Sequence, residues 1–151
     1  MRKRLIGFAL ALAATMGGSL TLAGPAQAAT PAIQITKVYY NSPGTDNRSN
    51  SSLNAEYVRL TNRRSSAINL KYWTLRDKAS HVYRFSGDFR LASGASVYIH
   101  TGKGTNTSTH RYWGSGAYIW NNTGDAAYLR NSAGTLIDSC SWGSSGSYTN
   151  C

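Results

Sequence analysis

Between residues 33 and 142 the sequence is a succession of short runs in which apolar and polar residues alternate, separated by clusters of Gly, Pro, Asn and Ser. A period of two excludes an amphipathic helix, whose apolar positions recur every three or four residues, and fits strands buried on one face. The runs fall at 33–40, 56–61, 70–76, 82–85, 96–100, 118–120, 126–130 and 135–142. In the second, Val58 and Leu60 share one face while Tyr57 and Arg59 take the other. Tyr72 is opposed to Trp73 and Leu75, and Tyr98 and His100 to Val97 and Ile99. About eight short strands, each apolar on one side, can only be covered by a second sheet, so an all-β sandwich is expected. The polar stretch 41–54, with Pro43-Gly44 and several Asn, is expected to be loop. Asn131-Ser132-Ala133-Gly134 reads as a hairpin loop.

Residues 1–28 do not belong to that pattern. Arg2, Lys3 and Arg4 precede an apolar stretch at 5–22, Gly24-Pro25 breaks it, and Ala26-Gln27-Ala28 sets small residues before a cleavage point. This is the layout of a secretory signal peptide over 1–28, removed after Ala28 to leave one domain at 29–151. Eighteen apolar residues could also just span a bilayer as a retained anchor, but Gly17, Gly18, Ser19 and the Ala-x-Ala end favour cleavage. The expected product is secreted, not inserted in the membrane, and monomeric. Without Arg2, Lys3 and Arg4, 13 of the 16 basic residues remain against 6 acids, a net charge of +7. Such a balance suits anionic partners, and it also suits plain solubility.

Cys140 and Cys151 are the only cysteines. An exported chain meets oxidising conditions, so they are expected to pair and to tie the C-terminus back onto the final strand. No His lies near either thiol in sequence, which argues against a metal site.

The run 54–62 (Asn54-Ala55-Glu56-Tyr57-Val58-Arg59-Leu60-Thr61-Asn62), followed by Leu70-Lys71-Tyr72-Trp73-Thr74-Leu75, resembles the opening strands of the lamin tail domain. Tyr83-Arg84-Phe85 with the segment 91–99, Trp113-Gly114-Ser115-Gly116, and the segment 122–129 beginning Asn122-Thr123-Gly124-Asp125 resemble later pieces of that family in the same order. The closing hairpin at 131–138 does so too. The resemblance covers 33–142 and is nearer to secreted, stand-alone bacterial members than to nuclear lamins. It implies an immunoglobulin-like β-sandwich and a non-catalytic interaction role, with no particular ligand. On physical grounds Trp73 is expected to fill the core, and Asn62 and Asn122 to satisfy backbone groups at strand ends.

Catalytic constellations are hard to assemble from this inventory. No Gly-x-Ser-x-Gly elbow stands between a strand and a helix, and the whole acid set is Asp46, Glu56, Asp77, Asp88, Asp125 and Asp138. Gly102-Lys103-Gly104-Thr105 fails the phosphate-loop pattern, because Gly104 follows Lys103 and Tyr98 occupies the position five before it. A Gly-rich basic loop can still meet a phosphate through its amides. His81, His100 and His110 match no ligand spacing and read as surface residues. Asp46, Asn47, Asn50 and Asn54 offer oxygens in one loop, without the order of a calcium hand. No cofactor or metal is implied.

What remains is surface chemistry. Tyr57, Arg59, Tyr98, His100, Tyr128 and Arg130 occupy outward strand positions, with Arg63, Arg64 and Lys103 in turns. Tyr and Arg suit stacking and charge-assisted contacts, and equally suit exposed β positions. The expected function is a secreted, non-catalytic module of the cell envelope or extracellular space that binds a protein or an anionic wall polymer. Nucleic-acid binding is the alternative, and a hydrolase would need a paired acid–base set in a cleft.

Overall fold

The alternating runs fold into two sheets that cover each other's apolar faces. The computed structural model describes residues 17–19, 22–26 and 28–151; the leader reading concerns residues 1–28, of which 1–16, 20, 21 and 27 lie outside them. No helix among the described residues is long and apolar enough to cross a membrane. The elements are β1 (Ile33–Tyr39), α1 (Asn50–Ala55), β2 (Tyr57–Asn62), β3 (Ile68–Asn69), β4 (Thr74–Arg76), β5 (Val82–Arg84), β6 (Arg90–Leu91), β7 (Ser96–His100), β8 (His110–Tyr112), β9 (Asp125–Arg130), β10 (Leu136–Trp142) and β11 (Tyr148–Asn150). One sheet has the order β11-β1-β2-β7-β8, the second β10-β9-β4-β5, and β3 pairs with β6 as a small third ladder. All pairings are antiparallel except β7 with β8. Ile35, Val58, Leu60, Val97 and Ile99 of the first sheet meet Leu75, Ala127, Leu129 and Trp73 in one core, and Trp73 is 8% exposed.

Several expectations need correction. The stretch 41–54 is not loop throughout, because Ser49 caps α1 by accepting from Ser52 N, and Leu53 is buried beneath it. The run 70–76 is strand only from Thr74. Asn69 Oδ1 accepts from Lys71 N and Phe89 N, and Trp73 N donates to Leu70 O, so a turn replaces the ladder. Tyr72 sits in that turn with φ 64°. The run 118–120 forms no strand, since the amides of Ile119 and Trp120 donate to a side chain. Asn122 bonds the side chains of Asn41 and Asp46, not the backbone. Asn62 does bridge backbone groups, donating to Ser66 O and Leu91 O and accepting from Arg64 N.

Glu56 is the side chain that takes the amides of the 118–120 run. It is fully buried, and its Oε1 accepts from Thr101 Oγ1 at 2.7 Å, Ile119 N at 2.8 Å and Trp120 N at 3.1 Å. Burial outweighs those donors and pushes its carboxyl up to about 7. Oε2 has no partner among the described residues. A single buried carboxyl oxygen thus anchors the segment that crosses from the first sheet to the second.

Two links close the seam between the sheets on the side of β1 and β10. Strand β1 carries a bulge at Thr36, between the pairs Ile35–Leu60 and Lys37–Arg59. Ile35 N, beside that bulge, donates to Asp138 Oδ2 of β10 at 2.7 Å. Cys140 of β10 is joined in a disulfide to Cys151, just after β11, with the Cα atoms 5.9 Å apart. The bridge therefore ties the tail to the opposite sheet, and the tail itself becomes the outermost strand of the first sheet.

Two outcomes are expected. The folded Glu56 value of about 7 lies above the usual 4.5, so the folded chain holds a proton that the unfolded chain gives up. That stabilisation is complete below about pH 4.5 and is lost as pH rises through about 7. Denaturant unfolding from pH 5 to 8 should show the wild type losing on the order of 3 kcal/mol relative to Glu56→Gln, which keeps the acceptor without the charge; parallel curves would refute it. Cys151→Ser should cost about 3 kcal/mol in the same assay, with hydrogen-exchange protection lost first in β11.

Candidate binding surface

Strand register decides which side chains share the outer face of the first sheet. Tyr148 pairs with Tyr39, Tyr39 with Tyr57, Tyr57 with His100, and His100 with Tyr112. One transverse row across all five strands is thus entirely aromatic. The adjacent row runs Asn150, Lys37, Arg59, Tyr98 and His110. The bulge at Thr36 is what permits this. It lets Ile33 and Ile35 point into the core while Lys37 and Tyr39, further along the same strand, point out.

Three of the four junctions in the row are stacked; the fourth, Tyr57 to His100, is tilted at 58°. Tyr148 to Tyr39 and Tyr39 to Tyr57 both measure 5.7 Å between centroids, with interplanar angles of 20° and 26°. His100 to Tyr112 measures 5.1 Å at 21°. Near-parallel rings at these distances are offset-stacked and cannot lie side by side as tiles. Their faces are therefore partly covered by neighbours, and edges and phenol hydroxyls are what they offer to solvent. Each end of the row has a neighbour, with Tyr148 still 49% exposed. Lys37 Nζ sits 3.8 Å from the Tyr148 centroid, and at the far end the backbone of Gly104 lies on Tyr112, where a Cβ would come within 2.4 Å of the ring. Gly102 meets the side chain of Asn54 just as closely, at 2.5 Å. The Gly-rich loop is therefore glycine for close packing, and Lys103 N donates to Asn50 Oδ1 while its carbonyl accepts from Asn50 and Asn54.

Two imidazoles form the hinge between the rows. His100 and His110 are neither isolated nor simply exposed, as the sequence suggested; His100 Nε2 and His110 Nδ1 lie 2.9 Å apart. His100 Nδ1 is 2.7 Å from Asn54 O. A carbonyl only accepts, so the His100 proton is on Nδ1, its Nε2 is an acceptor, and His110 donates from Nδ1. Burial holds His100 below its ordinary range, against the pull of the Asn54 carbonyl, and the neighbouring His110 lowers it further. His81 bonds Asp77 at 2.6 Å instead. Among the described residues no cluster of metal-ligating side chains occurs. The oxygens of the 41–54 segment are mostly committed to the chain itself: Asn47 Oδ1 to Ser49 N, Asn50 Oδ1 to Lys103 N, and Asp46 to Asn122.

Charge completes the picture. Among the described residues two ion pairs occur, Lys71–Asp88 and His81–Asp77. Lys37 and Arg59 are in neither. Arg59 Nε donates to the Thr36 hydroxyl at 2.8 Å, so a neutral acceptor positions it and leaves its charge uncompensated. Four of the nine residues singled out from sequence, Tyr57, Arg59, Tyr98 and His100, meet on this face. Lys103 borders its Tyr112 end. Arg63 and Arg64 lie at the rim beyond Gln34, Arg63 donating to Gln34 Oε1 and Arg64 to Thr30 O. Tyr128 and Arg130 are on β9, in the other sheet. Sequence reasoning missed Lys37, Tyr39, His110, Tyr112 and Tyr148. Their signal was the same x-polar-x alternation, hidden by the bulge in β1 and by the shortness of β8 and β11.

A family model described as Lamin Tail Domain matches residues 26–144. The chain belongs to the lamin tail domain family. A comparison with curated proteins finds no match. Within this lamin tail domain, the stretch Glu56-Tyr57-Val58-Arg59-Leu60 serves three purposes at once. It supplies the buried carboxyl, two core residues and two members of the outer rows. Strand β11, with Tyr148, and the Cys151 that follows it lie beyond the matched residues.

The proton positions can be read directly. Nitrogen-15 NMR of the histidines at pH 7 should show His100 protonated at Nδ1 and bare at Nε2. His110→Ala should move the His100 Nε2 resonance and leave its tautomer unchanged; a His100 carrying its proton on Nε2 would contradict the geometry.

Proposed function

We propose that this lamin tail domain acts outside the cell membrane as a secreted module of the bacterial stand-alone type, binding an anionic polymer through the outer face of its five-stranded sheet. A non-catalytic interaction role is what the family suggests. The observation that carries the ligand class is the pair of registered rows: phenols, imidazoles, Lys37 and Arg59 on one continuous face with no carboxylate among them. Phenol edges and hydroxyls suit a hydroxyl-rich chain, and the two uncompensated cations suit its charge. The disulfide fits an oxidising compartment.

Nucleic acid is the competing ligand, because Tyr and Arg also stack on bases. The offset stacking weighs against it here, since base stacking needs free ring faces and these faces are partly taken by neighbouring rings.

Co-sedimentation with cell-wall preparations tests the proposal. Binding should fall steeply between about 50 and about 200 mM salt, as charge-driven association does. Lys37→Ala with Arg59→Ala should weaken it about tenfold, and Tyr57→Ala with Tyr98→Ala should weaken it at any salt. Unchanged binding in both double variants would sink the assignment. A preference for single-stranded oligonucleotide over wall polymer would transfer it to the competing ligand.

A further inference from the structure

The outer face of the other sheet has its own chemistry. Register places Thr74 of β4 between Arg130 of β9 and Arg84 of β5. Two residues along, Arg76 stands between Tyr128 and Val82. Three guanidinium groups thus surround one threonine on a four-stranded surface. Arg130 and Arg84 are two strand spacings apart, about 10 Å, and Arg76 is displaced by about 7 Å along the strand direction.

Among the described residues none of the three is in an ion pair. Arg76 Nη2 donates to Ser80 Oγ at 2.7 Å, and Arg130 Nη1 to Gly134 O at 3.0 Å. Arg84 lies over the Tyr72 ring, 5.0 Å from its centroid. Each is therefore oriented by a neutral partner while keeping its full charge. The nearby carboxylates are buried and otherwise engaged. Asp77 accepts from His81 N and faces its ring, and Asp125 accepts from Lys78 N, Asn121 N and Ala126 N. Between Arg76, Tyr128 and Arg130 the surface sinks into a shallow depression of about 310 Å³ that Lys78 and the buried, His81-bonded Asp77 also border.

We propose that this face is a second binding surface, separate from the aromatic rows, and that it takes a flexible phosphodiester polymer. A guanidinium presents a planar fork of donors that matches phosphate oxygens. Three forks spread over about 10 Å cannot all be satisfied by one small anion; a chain with repeating phosphates can engage them together. The face carries no Asn or Gln to read base edges, and Tyr72 is flanked by cations, with Lys71 Nζ 5.2 Å and Arg84 5.0 Å from its ring centroid. It is therefore a surface for backbone charge on a flexible strand. With the two faces on opposite sides of the sandwich, one domain can hold two polymer chains at once.

Titration of the full purified protein with poly(glycerol phosphate), followed by calorimetry and by backbone NMR shifts, tests this. Arg84→Ser and Arg130→Ser should each weaken binding about tenfold. Arg90→Ser removes the same charge from β6, off this face, and should change it less than about twofold. Shifts should centre on Thr74, Arg76 and Tyr128. Equal losses in all three variants, or shifts centred on Tyr57 and Tyr98, would overturn the second surface. Tighter binding of duplex DNA than of poly(glycerol phosphate), at equal phosphate concentration, would overturn the choice of a flexible polymer. Because Lys37 and Arg59 are untouched, failure here leaves the aromatic face to stand or fall by its own experiment.

Discussion

Glu56 Oε1 gathers three donors that no sheet ladder supplies: the Thr101 hydroxyl at the end of β7 and the amides of Ile119 and Trp120. The segment carrying those amides passes from the first sheet to the second, so its path is fixed by a side chain and not by strand pairing. A buried backbone amide without a partner is costly, and here two are satisfied by one oxygen. Removing that acceptor would free the crossing segment, and with it the start of β9. The upward shift of the carboxyl follows from the same arrangement, because burial opposes charge more strongly than the three donors favour it.

With the crossing fixed, the two sheets can present different chemistry. On the five-stranded side, aromatic rings lean on one another and the cations stand beside them. On the four-stranded side, guanidinium groups are spaced apart and held by neutral oxygens. The contrast has a physical origin in register. Five strands whose outward positions align give an unbroken aromatic row, whereas the short strands β4 and β5 leave room for only two outward residues per row segment. The basic excess of the chain is thus divided between surfaces with distinct geometries.

The fold was legible because alternation survives wherever one face is buried. Val58, Leu60, Val97 and Ile99 were assigned inward from period alone, and all are buried. It failed where side chains replace the ladder. Asn69 turned the start of the 70–76 run into a turn, and Glu56 took the amides of 118–120 out of any strand. Strands β8 and β11 carry almost no apolar signal, because each lies at an edge of the first sheet. The outer rows were half legible for the same reason. Tyr57, Arg59, Tyr98 and His100 lie on regular central strands, while Tyr112, His110 and Tyr148 lie on those edges. Lys37 and Tyr39 depended on a bulge that no local residue pattern announces.

That bulge makes β1 a strand read in two frames. Up to Ile35 the odd positions face the core; after Thr36 the odd positions face the solvent. Thr36 is the frame-shifting residue, held by the Thr61 hydroxyl at 3.0 Å. Loss of one residue there would merge the frames. The strand would then have to choose between burying Lys37 and Tyr39 or exposing Ile33 and Ile35. Insertions and deletions, usually harmless in a β-protein only when they fall in loops, are in this strand tied to which face the molecule shows its partner.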